Sequence, residues 1–274
     1  MDTAREMVVA AAQFCKADVV KFQKRCPEEL LTKDELAAPH PNPMHAYGET
    51  YGAHRAFLEF DVGQHRQFQE WCVELGVEYS SSVWDTMSAR EITSLDPSFI
   101  KIPSACNLHW RMLDYLCVNH GGEIHLSFGM TTHDEENAII EFFQKRGRAE
   151  DLVVYSCTSG YPVAFEDICL REITRLKEKF DGIVKGIGFS GHHLGIAADV
   201  AAMTLGARWV ERHFTLDRTW KGTDHAASLE PDGMRRLARD LRSVSLALRN
   251  KDREILEVER VQREKLKHAA GGSE

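Results

Sequence analysis

The stretch GIGFSGHHLGIAADVAAMTLGARWVERHF, residues 186–214, joins two short apolar runs through a segment with helical spacing. GIGFS (186–190) and WVERHF (209–214) resemble buried strands, whereas LGIAADVAAMTLGA (194–207) repeats its apolar residues at the intervals of a helix. A strand, a crossover helix and a second strand form a parallel pair, in which both strands end at the same edge of the sheet. This βα unit indicates an α/β fold.

The same alternation recurs along the rest of the chain. The other strand candidates are DVVKF (18–22), VEYSS (77–81), FIKI (99–102), EIHLS (123–127) and LVVYSC (152–157). Seven such strands predict a TIM (β/α)₈ barrel that lacks one strand, and the doubly wound alternative has no GxGxxG after its first strand. Because the chain opens with a helix, we expect the missing strand to be the first one, upstream of Met1.

The barrel is expected to occupy residues 1–249, followed over 250–274 by a charged helix (about 250–267) and a loose tail, AAGGSE. No second domain is visible in the sequence. Residues 30–53 form a polar segment rich in Pro and His, and a loop of that length predicts an active-site loop.

Composition excludes several classes of protein. The chain has 274 residues, of which 43% are hydrophobic and 28% charged, so it can bury a large core. The net charge of -8, without a clustered basic face, argues against a nucleic-acid partner. No apolar run approaches the roughly 20 residues that cross a bilayer, and no signal peptide is evident, so we expect a cytoplasmic protein without a membrane role. The seven cysteines show no CxxC pair and are expected to be reduced.

Two lysines fall on strand faces that point into the barrel. In VVKFQ, Lys21 and Gln23 share the face opposite Val20 and Phe22, and in FIKIPS the isoleucines leave Lys101 inward. A buried ammonium is costly unless it meets an anion, so the pair predicts a phosphate or carboxylate between them. Each lysine alone could instead be a snorkelling or ion-paired residue. Serines at or just after strand ends could add hydroxyl donors: Ser82, Ser104, Ser127 and Ser190.

Two histidines are candidate metal ligands. His192 and His213 are one βα unit of 21 residues apart, which puts them at neighbouring strand ends. Two imidazoles with open positions for water and substrate could hold Mn²⁺, Zn²⁺ or Fe²⁺, although either histidine could merely cap or pack. Asp224, in KGTDHAASLEP, lies on the following loop, where its carboxylate could bind sugar hydroxyls or serve as an ordinary loop or cap residue.

Together these motifs resemble the sialic acid synthase family, whose members condense phosphoenolpyruvate with N-acetylmannosamine or a related sugar. The resemblance covers nearly the whole chain in order and rests on VVKFQ, TYGAHRAFLEF, KIPSACN, LSFGMTT, CTSGYPVAFED, GFSGHHLG and ERHFTLDRTWKGTDHAASLEP. It implies a TIM barrel, a divalent metal that is typically Mn²⁺, release of inorganic phosphate, and a homodimer.

The resemblance also implies a role for each candidate residue. The phosphoenolpyruvate site would be Lys21, Ser82, Lys101, Ser104, Ser127 and Ser190, the metal would bind His192 and His213, and the sugar would meet Gln23, Asn42, Tyr161 and Asp224. A metal on the histidines would polarise the aldehyde of the open-chain sugar, which C3 of phosphoenolpyruvate would attack. Water would then add at C2 before phosphate leaves. Lys21, Lys101 and Asp224 are the expected catalytic residues.

The sequence departs from the family pattern in four ways. The sequence as given starts just after the family's opening strand with its Glu-Ile-Gly-type segment, which we expect upstream of Met1, and we expect no antifreeze-like domain after residue 267. Cys106 stands where a sugar-contacting glutamate is common, and Gly191 and Ser159 replace a frequent Asp and Asn. These departures leave other acceptors open, giving legionaminic acid or a deaminated or 9-phosphorylated sialic acid. A catalytically dead barrel acting as a binding subunit also stays open.

Overall fold

A computed structural model describes residues 1–268; the tail AAGGSE (269–274) lies outside the described residues. Seven parallel strands form one sheet in which neighbours along the chain are neighbours in space. The strands are β1 (Val19–Lys24), β2 (Glu78–Val83), β3 (Phe99–Ile102), β4 (Glu123–Ser127), β5 (Leu152–Cys157), β6 (Gly186–Gly191) and β7 (Trp209–Arg212).

Helices precede, connect and follow the strands. They are α1 (Asp2–Val9), which continues as a π-helical turn (Ala10–Cys15), α2 (Pro27–Leu30), α3 (Lys33–Ala37), α4 (Tyr51–Leu58), α5 (Val62–Leu75), α6 (Thr86–Thr93), α7 (Trp110–Asn119), α8 (His133–Lys145), α9 (Arg171–Phe180), α10 (Ala197–Thr204), α11 (Pro231–Ala247) and α12 (Glu257–Leu266). Neither these nor any other described segment forms a helix both long and apolar enough to span a membrane.

The sheet curls into a half-barrel, which confirms the predicted fold class of seven strands in a TIM-barrel arrangement. β1 and β7 are the two edges of the sheet. They nevertheless approach each other, because Lys21 Nζ of β1 lies 3.4 Å from Glu211 Oε1 of β7. Outside the sheet, α11 packs on the segment before β1, where Arg242 Nη2 donates to the carbonyl of Lys16 at 2.6 Å.

Alternation along each strand separates a dry outer layer from a polar interior. Phe22 stacks on Phe68 of α5 with ring centroids 4.2 Å apart, and Ile100 and Ile102 are completely buried in the apolar core between sheet and helices. Lys21 and Lys101, at the alternate positions, therefore point into the barrel as expected. Burial of the outer layer fixes the register that holds the lysines inward.

Several boundaries differ from the sequence-based expectation, and three of the differences have a local physical reason. β7 ends at Arg212 instead of Phe214, because Phe214 forms a separate bridge with Leu229. The C-terminal helix covers only 257–266, since residues 250–256 contain the weak helix formers Asn250 and Asp252. The predicted 30–53 loop is partly ordered into α3 and a 3₁₀ turn, because Thr32 caps α3 with a capping box.

Candidate active site

The two interior lysines share one carboxylate, that of Glu211 on β7. Lys101 Nζ lies 2.9 Å from Glu211 Oε2, and Lys21 Nζ lies 3.4 Å from Glu211 Oε1. Burial alone would raise the pKa of Glu211, but the charges of Lys101 and Lys21 hold it far below its usual range. Burial lowers the pKa of Lys21, while Glu211 opposes that effect. The sequence predicted a phosphate or carboxylate between the lysines, and the chain itself supplies a carboxylate there.

Lys101 makes a cation–π contact with an aromatic ring. Its ammonium lies 3.9 Å from the centroid of Tyr155 on β5, and the lysine is 2% exposed. Tyr155 can cross the barrel interior because β6 has a glycine opposite it: a Cβ on Gly188 would lie 2.6 Å from the ring. The Tyr155 hydroxyl contacts His125 Nδ1 at 2.8 Å, and His125 Nε2 lies 3.1 Å from a carboxylate oxygen of Glu123.

The predicted serines converge on the same interior. Ser82 Oγ accepts a hydrogen bond from Lys21 Nζ at 2.7 Å. Ser104 Oγ lies 3.8 Å from Cys157 Sγ, and Ser190 on β6 is the register partner of Cys157 on β5. Ser127 is buried at the end of β4 and its carbonyl accepts from Asn107 Nδ2 at 2.9 Å. All four serines therefore border the interior that contains the lysines.

His192 and His213 lie side by side at the same end of the barrel, with ring centroids 5.3 Å apart. Nδ1 of His192 is 3.1 Å from the carbonyl of Thr158, so it carries the proton and Nε2 keeps a free lone pair. Burial lowers the pKa of His192 to about 4 and also lowers that of His213, which keeps both rings neutral. Within residues 1–268, no group of three or more His, Cys, Asp or Glu side chains could hold a metal ion.

Two of the predicted sugar-contacting residues border this histidine pair. The Tyr161 ring lies 4.4 Å from His192 and 5.6 Å from His213, between ring centroids. Asp224 Oδ2 is 3.9 Å from His213 Nδ1, and the Asp224 side chain is 46% exposed. The carboxylate is thus open to solvent on one side and next to the imidazole on the other.

Asn42 does not join this group. It is exposed, and its Oδ1 accepts from the backbone N–H of Met44 at 3.1 Å, which starts a 3₁₀ turn. Its loop does reach the site, since the Tyr47 hydroxyl donates to the carbonyl of Lys221 at 2.6 Å and Gly222 N–H donates to His45 Nδ1 at 3.1 Å. The loop after β1 is therefore docked on the loop that contains Asp224.

Gln23, the remaining candidate, belongs to a cluster that sequence reasoning missed. Its Oε1 accepts from Arg25 Nη2 at 2.7 Å and from Trp84 Nε1 at 3.1 Å. The Arg25 guanidinium lies 4.0 Å from the Trp84 ring, and Glu59 accepts from the backbone N–H of Arg25 at 3.0 Å. Arg25 and Trp84 follow β1 and β2 directly, so their position after a strand end was the available signal.

Glu211 and Cys157 were also missed, although strand alternation could have found them. Glu211 is two residues before His213 in WVERHF, and Cys157 is two residues after Tyr155 in LVVYSC, so each shares the inward face of its strand. The ionic partner of Glu211 could not be read from the sequence, since Lys101 is 110 residues away.

Comparison with known proteins agrees with this geometry. Residues 7–253 match the NeuB family. The chain belongs to the NeuB family. It is 36% identical to human N-acetylneuraminate-9-phosphate synthase over 266 residues, which are 97% of this chain and 72% of that protein. It is also 29% identical to N,N'-diacetyllegionaminic acid synthase of Legionella pneumophila, over 90% of this chain and 69% of that one.

A solved structure shows the same fold. The N-acetylneuraminic acid synthetase of Leptospira borgpetersenii superposes with a TM-score of 0.80 at 24% identity, covering 96% of this chain and 85% of that one. The family match and the 36% identity to the human synthase confirm the resemblance to sialic acid synthases expected from the motifs. As a member of the NeuB family, the protein is an enzyme that forms carbon–carbon bonds.

Proposed function

We propose that this NeuB-family enzyme condenses phosphoenolpyruvate with N-acetylmannosamine or a related open-chain sugar, and releases a nonulosonic acid and phosphate. The observation that carries the proposal is the pair of inward-facing lysines, the partly buried Lys21 and the buried Lys101, next to the histidine pair at the same barrel mouth. Two ammonium groups there suit a substrate with two anionic groups, the phosphate and the carboxylate of phosphoenolpyruvate. Glu211 would give up its place between the lysines to that substrate.

The chain's own residues account for substrate orientation. Lys21 and Lys101 would neutralise the phosphate and carboxylate throughout the reaction. Ser82 accepts a hydrogen bond from Lys21 in the ligand-free protein. When the ammonium of Lys21 turns to the bound substrate, the Ser82 hydroxyl would donate to the same substrate anion as Lys21. Asp224 and Tyr161 border the histidines on the solvent side, where they would contact the acceptor sugar. Its aldehyde carbon would then face C3 of phosphoenolpyruvate, which favours bond formation by proximity.

The histidine pair suits a divalent metal, for which we propose Mn²⁺. The donor set fits, because both imidazoles are neutral and Nε2 of His192 is free of protein partners. With two protein ligands, most coordination positions would be open to water and substrate oxygens. A metal bound there would supply Lewis acidity at the aldehyde oxygen of the sugar.

A second candidate is the synthase of a 9-phosphorylated sialic acid, which would use a 6-phosphorylated acceptor. It is favoured by the 36% identity to the human 9-phosphate synthase. The likeness to a legionaminic acid synthase at 29% supports the broader reaction class without selecting the acceptor.

Phosphate release from phosphoenolpyruvate tests the proposal. The purified protein is treated with EDTA, reloaded with Mn²⁺ or left metal-free, and assayed with N-acetylmannosamine and with its 6-phosphate. We expect Mn²⁺-dependent phosphate release, and the acceptor with the higher kcat/KM decides between the two candidates. His213→Ala should abolish turnover and tight Mn²⁺ binding, with exposed His133→Ala as the control. Lack of phosphate release with every acceptor would overturn the proposed function and favour a binding role.

A further inference from the structure

The amide of Gln23 has a fixed polarity. Its Oε1 faces two groups, Arg25 Nη2 and Trp84 Nε1, at 2.7 and 3.1 Å. A guanidinium and an indole N–H can only donate hydrogen bonds. Whichever amide atom faces both of them must therefore be the oxygen, which removes the usual ambiguity between the two ends of a glutamine side chain.

The opposite end of the amide, Nε2, is left for a ligand. Gln23 is on the inward face of β1, two residues beyond Lys21 towards the C-terminal end of the strand, and is half-buried. Its Nε2 makes no hydrogen bond to the residues that the structure describes. An amide nitrogen with two donor hydrogens at the mouth of a polar barrel is a binding group for an oxygen acceptor.

The guanidinium of Arg25 has further contacts that orient it. The Arg25 guanidinium stacks on the Trp84 ring at 4.0 Å and its Nη1 lies 3.6 Å from Glu59 Oε1. Burial lowers the pKa of Arg25, an effect that the charges of Glu59 and Asp224 oppose. Burial raises the pKa of Tyr161 to about 12, and the charge of Arg25 partly offsets that rise. The cluster therefore lies within electrostatic reach of two residues at the barrel mouth.

We propose that Arg25 and Trp84 are positioning residues that lock Gln23 as a hydrogen-bond donor to the acceptor sugar. This inference rests on the proposed function and adds a specificity rule to it. The enzyme selects acceptors that present a hydroxyl or acyl oxygen to Gln23 Nε2, and it discriminates against those that present an ammonium group, because two donors would then face each other.

Steady-state kinetics of single and double variants test this role. Gln23→Met removes the amide, and Trp84→Phe keeps an aromatic ring under Arg25 while removing the indole N–H. We expect Gln23→Met to raise the acceptor KM by about tenfold, the loss typical of one hydrogen bond, and Trp84→Phe to raise it by a few fold. The KM for phosphoenolpyruvate should stay within about twofold in both.

Non-additivity separates positioning from general structural support. If Trp84 acts through Gln23, the double variant should be no worse than Gln23→Met alone. Arg25→Met should also raise the acceptor KM. Its matched control is Arg146→Met, since Arg146 likewise stacks on a ring, Phe142 at 3.4 Å, and pairs with a carboxylate, Asp114, but between outer helices.

The outcomes distinguish the inference from the function on which it depends. Additive effects of Gln23→Met and Trp84→Phe, or an equal rise in the KM for phosphoenolpyruvate, would overturn the positioning role while the wild type still turns over. A wild type that releases no phosphate with any acceptor would overturn the proposed function itself. If Arg25→Met does not fold, the Gln23 and Trp84 cycle still decides the inference.

Discussion

At the scale of single residues, the site depends on how buried charge is balanced. Lys101 is 2% exposed, and in the chain as it stands its charge is balanced by Glu211 at 2.9 Å. A buried ion pair of this kind contributes little net stability, because desolvation of both groups offsets their attraction. Its value is that the positive charges are already desolvated and positioned when an anionic substrate enters.

Replacing Lys101 with methionine should weaken phosphoenolpyruvate binding. The change keeps the length of the side chain but removes its charge, so the expected loss is about 2–4 kcal/mol for a partly desolvated ionic contact. Isothermal titration calorimetry measures the affinity. The control is Lys145→Met, since Lys145 pairs with Glu141 on the surface and is 74% exposed. An unchanged affinity would mean that Lys101 is only structural.

Replacing Glu211 with glutamine should destabilise the ligand-free protein. The buried Lys101 and the partly buried Lys21 would then lack a counter-charge. Removing one partner of a fully buried pair costs about 3–5 kcal/mol, and the 23% exposure of Glu211 makes the expected cost smaller. Inorganic phosphate should restore part of the lost melting temperature in this variant and have a smaller effect on the wild type. A Glu211→Gln protein as stable as the wild type in phosphate-free buffer would contradict this account.

At the scale of elements, glycines in the strands decide what the barrel interior can contain. β6 leaves room for the Tyr155 ring only because residue 188 has no side chain. The ring in turn supports Lys101, so a backbone position on β6 controls an ammonium group on β3.

Gly188→Ala should therefore destabilise the protein by about 1–3 kcal/mol, the usual cost of inserting a methyl group into a packed interior. Displacement of Tyr155 should also weaken phosphoenolpyruvate binding. Chemical denaturation measures the first effect and calorimetry the second. Gly121→Ala is the matched control, because a Cβ there has no atom within 4 Å. Equal stability of the two variants would argue against the packing role of Gly188.

At the scale of the whole molecule, buried histidines make the stability depend on pH. Burial lowers the pKa of His65 to about 4, with a smaller contribution from the charge of Lys24, and burial also lowers that of His125 to about 4. An unfolded histidine titrates near about 6.5, so between these values the unfolded chain binds more protons than the folded one. The free energy of unfolding must then fall as the pH falls through this window.

The wild type should lose about 2–3 kcal/mol for each of these histidines between about pH 6.5 and pH 4. In His65→Gln, whose amide oxygen can still accept from Tyr79, the loss should be smaller by one histidine's share. Urea denaturation at several pH values measures the free energy of unfolding of both proteins. Identical pH profiles for the two proteins would show that His65 does not titrate on unfolding.

The expected cytoplasmic location and homodimer stay predictions.

The sequence by itself determined the local and periodic features of this protein. Alternation in VVKFQ and FIKI predicted that Lys21 and Lys101 point inward, and the 21-residue spacing of His192 and His213 predicted their meeting at neighbouring strand ends. Both inferences hold because strand period and βα connectivity act between residues that are close along the chain.

Only the tertiary structure decided which distant groups meet. The curl of the sheet brings β7 across from β1 and β3, and that alone puts Glu211 between two lysines. It also brings Arg25, from the end of β1, onto Trp84, from the end of β2, and so orients Gln23. Such contacts depend on the closing geometry of the whole sheet and on the packing of the loops beyond it. Neither produces a periodic pattern of residues that could be recognised in the sequence.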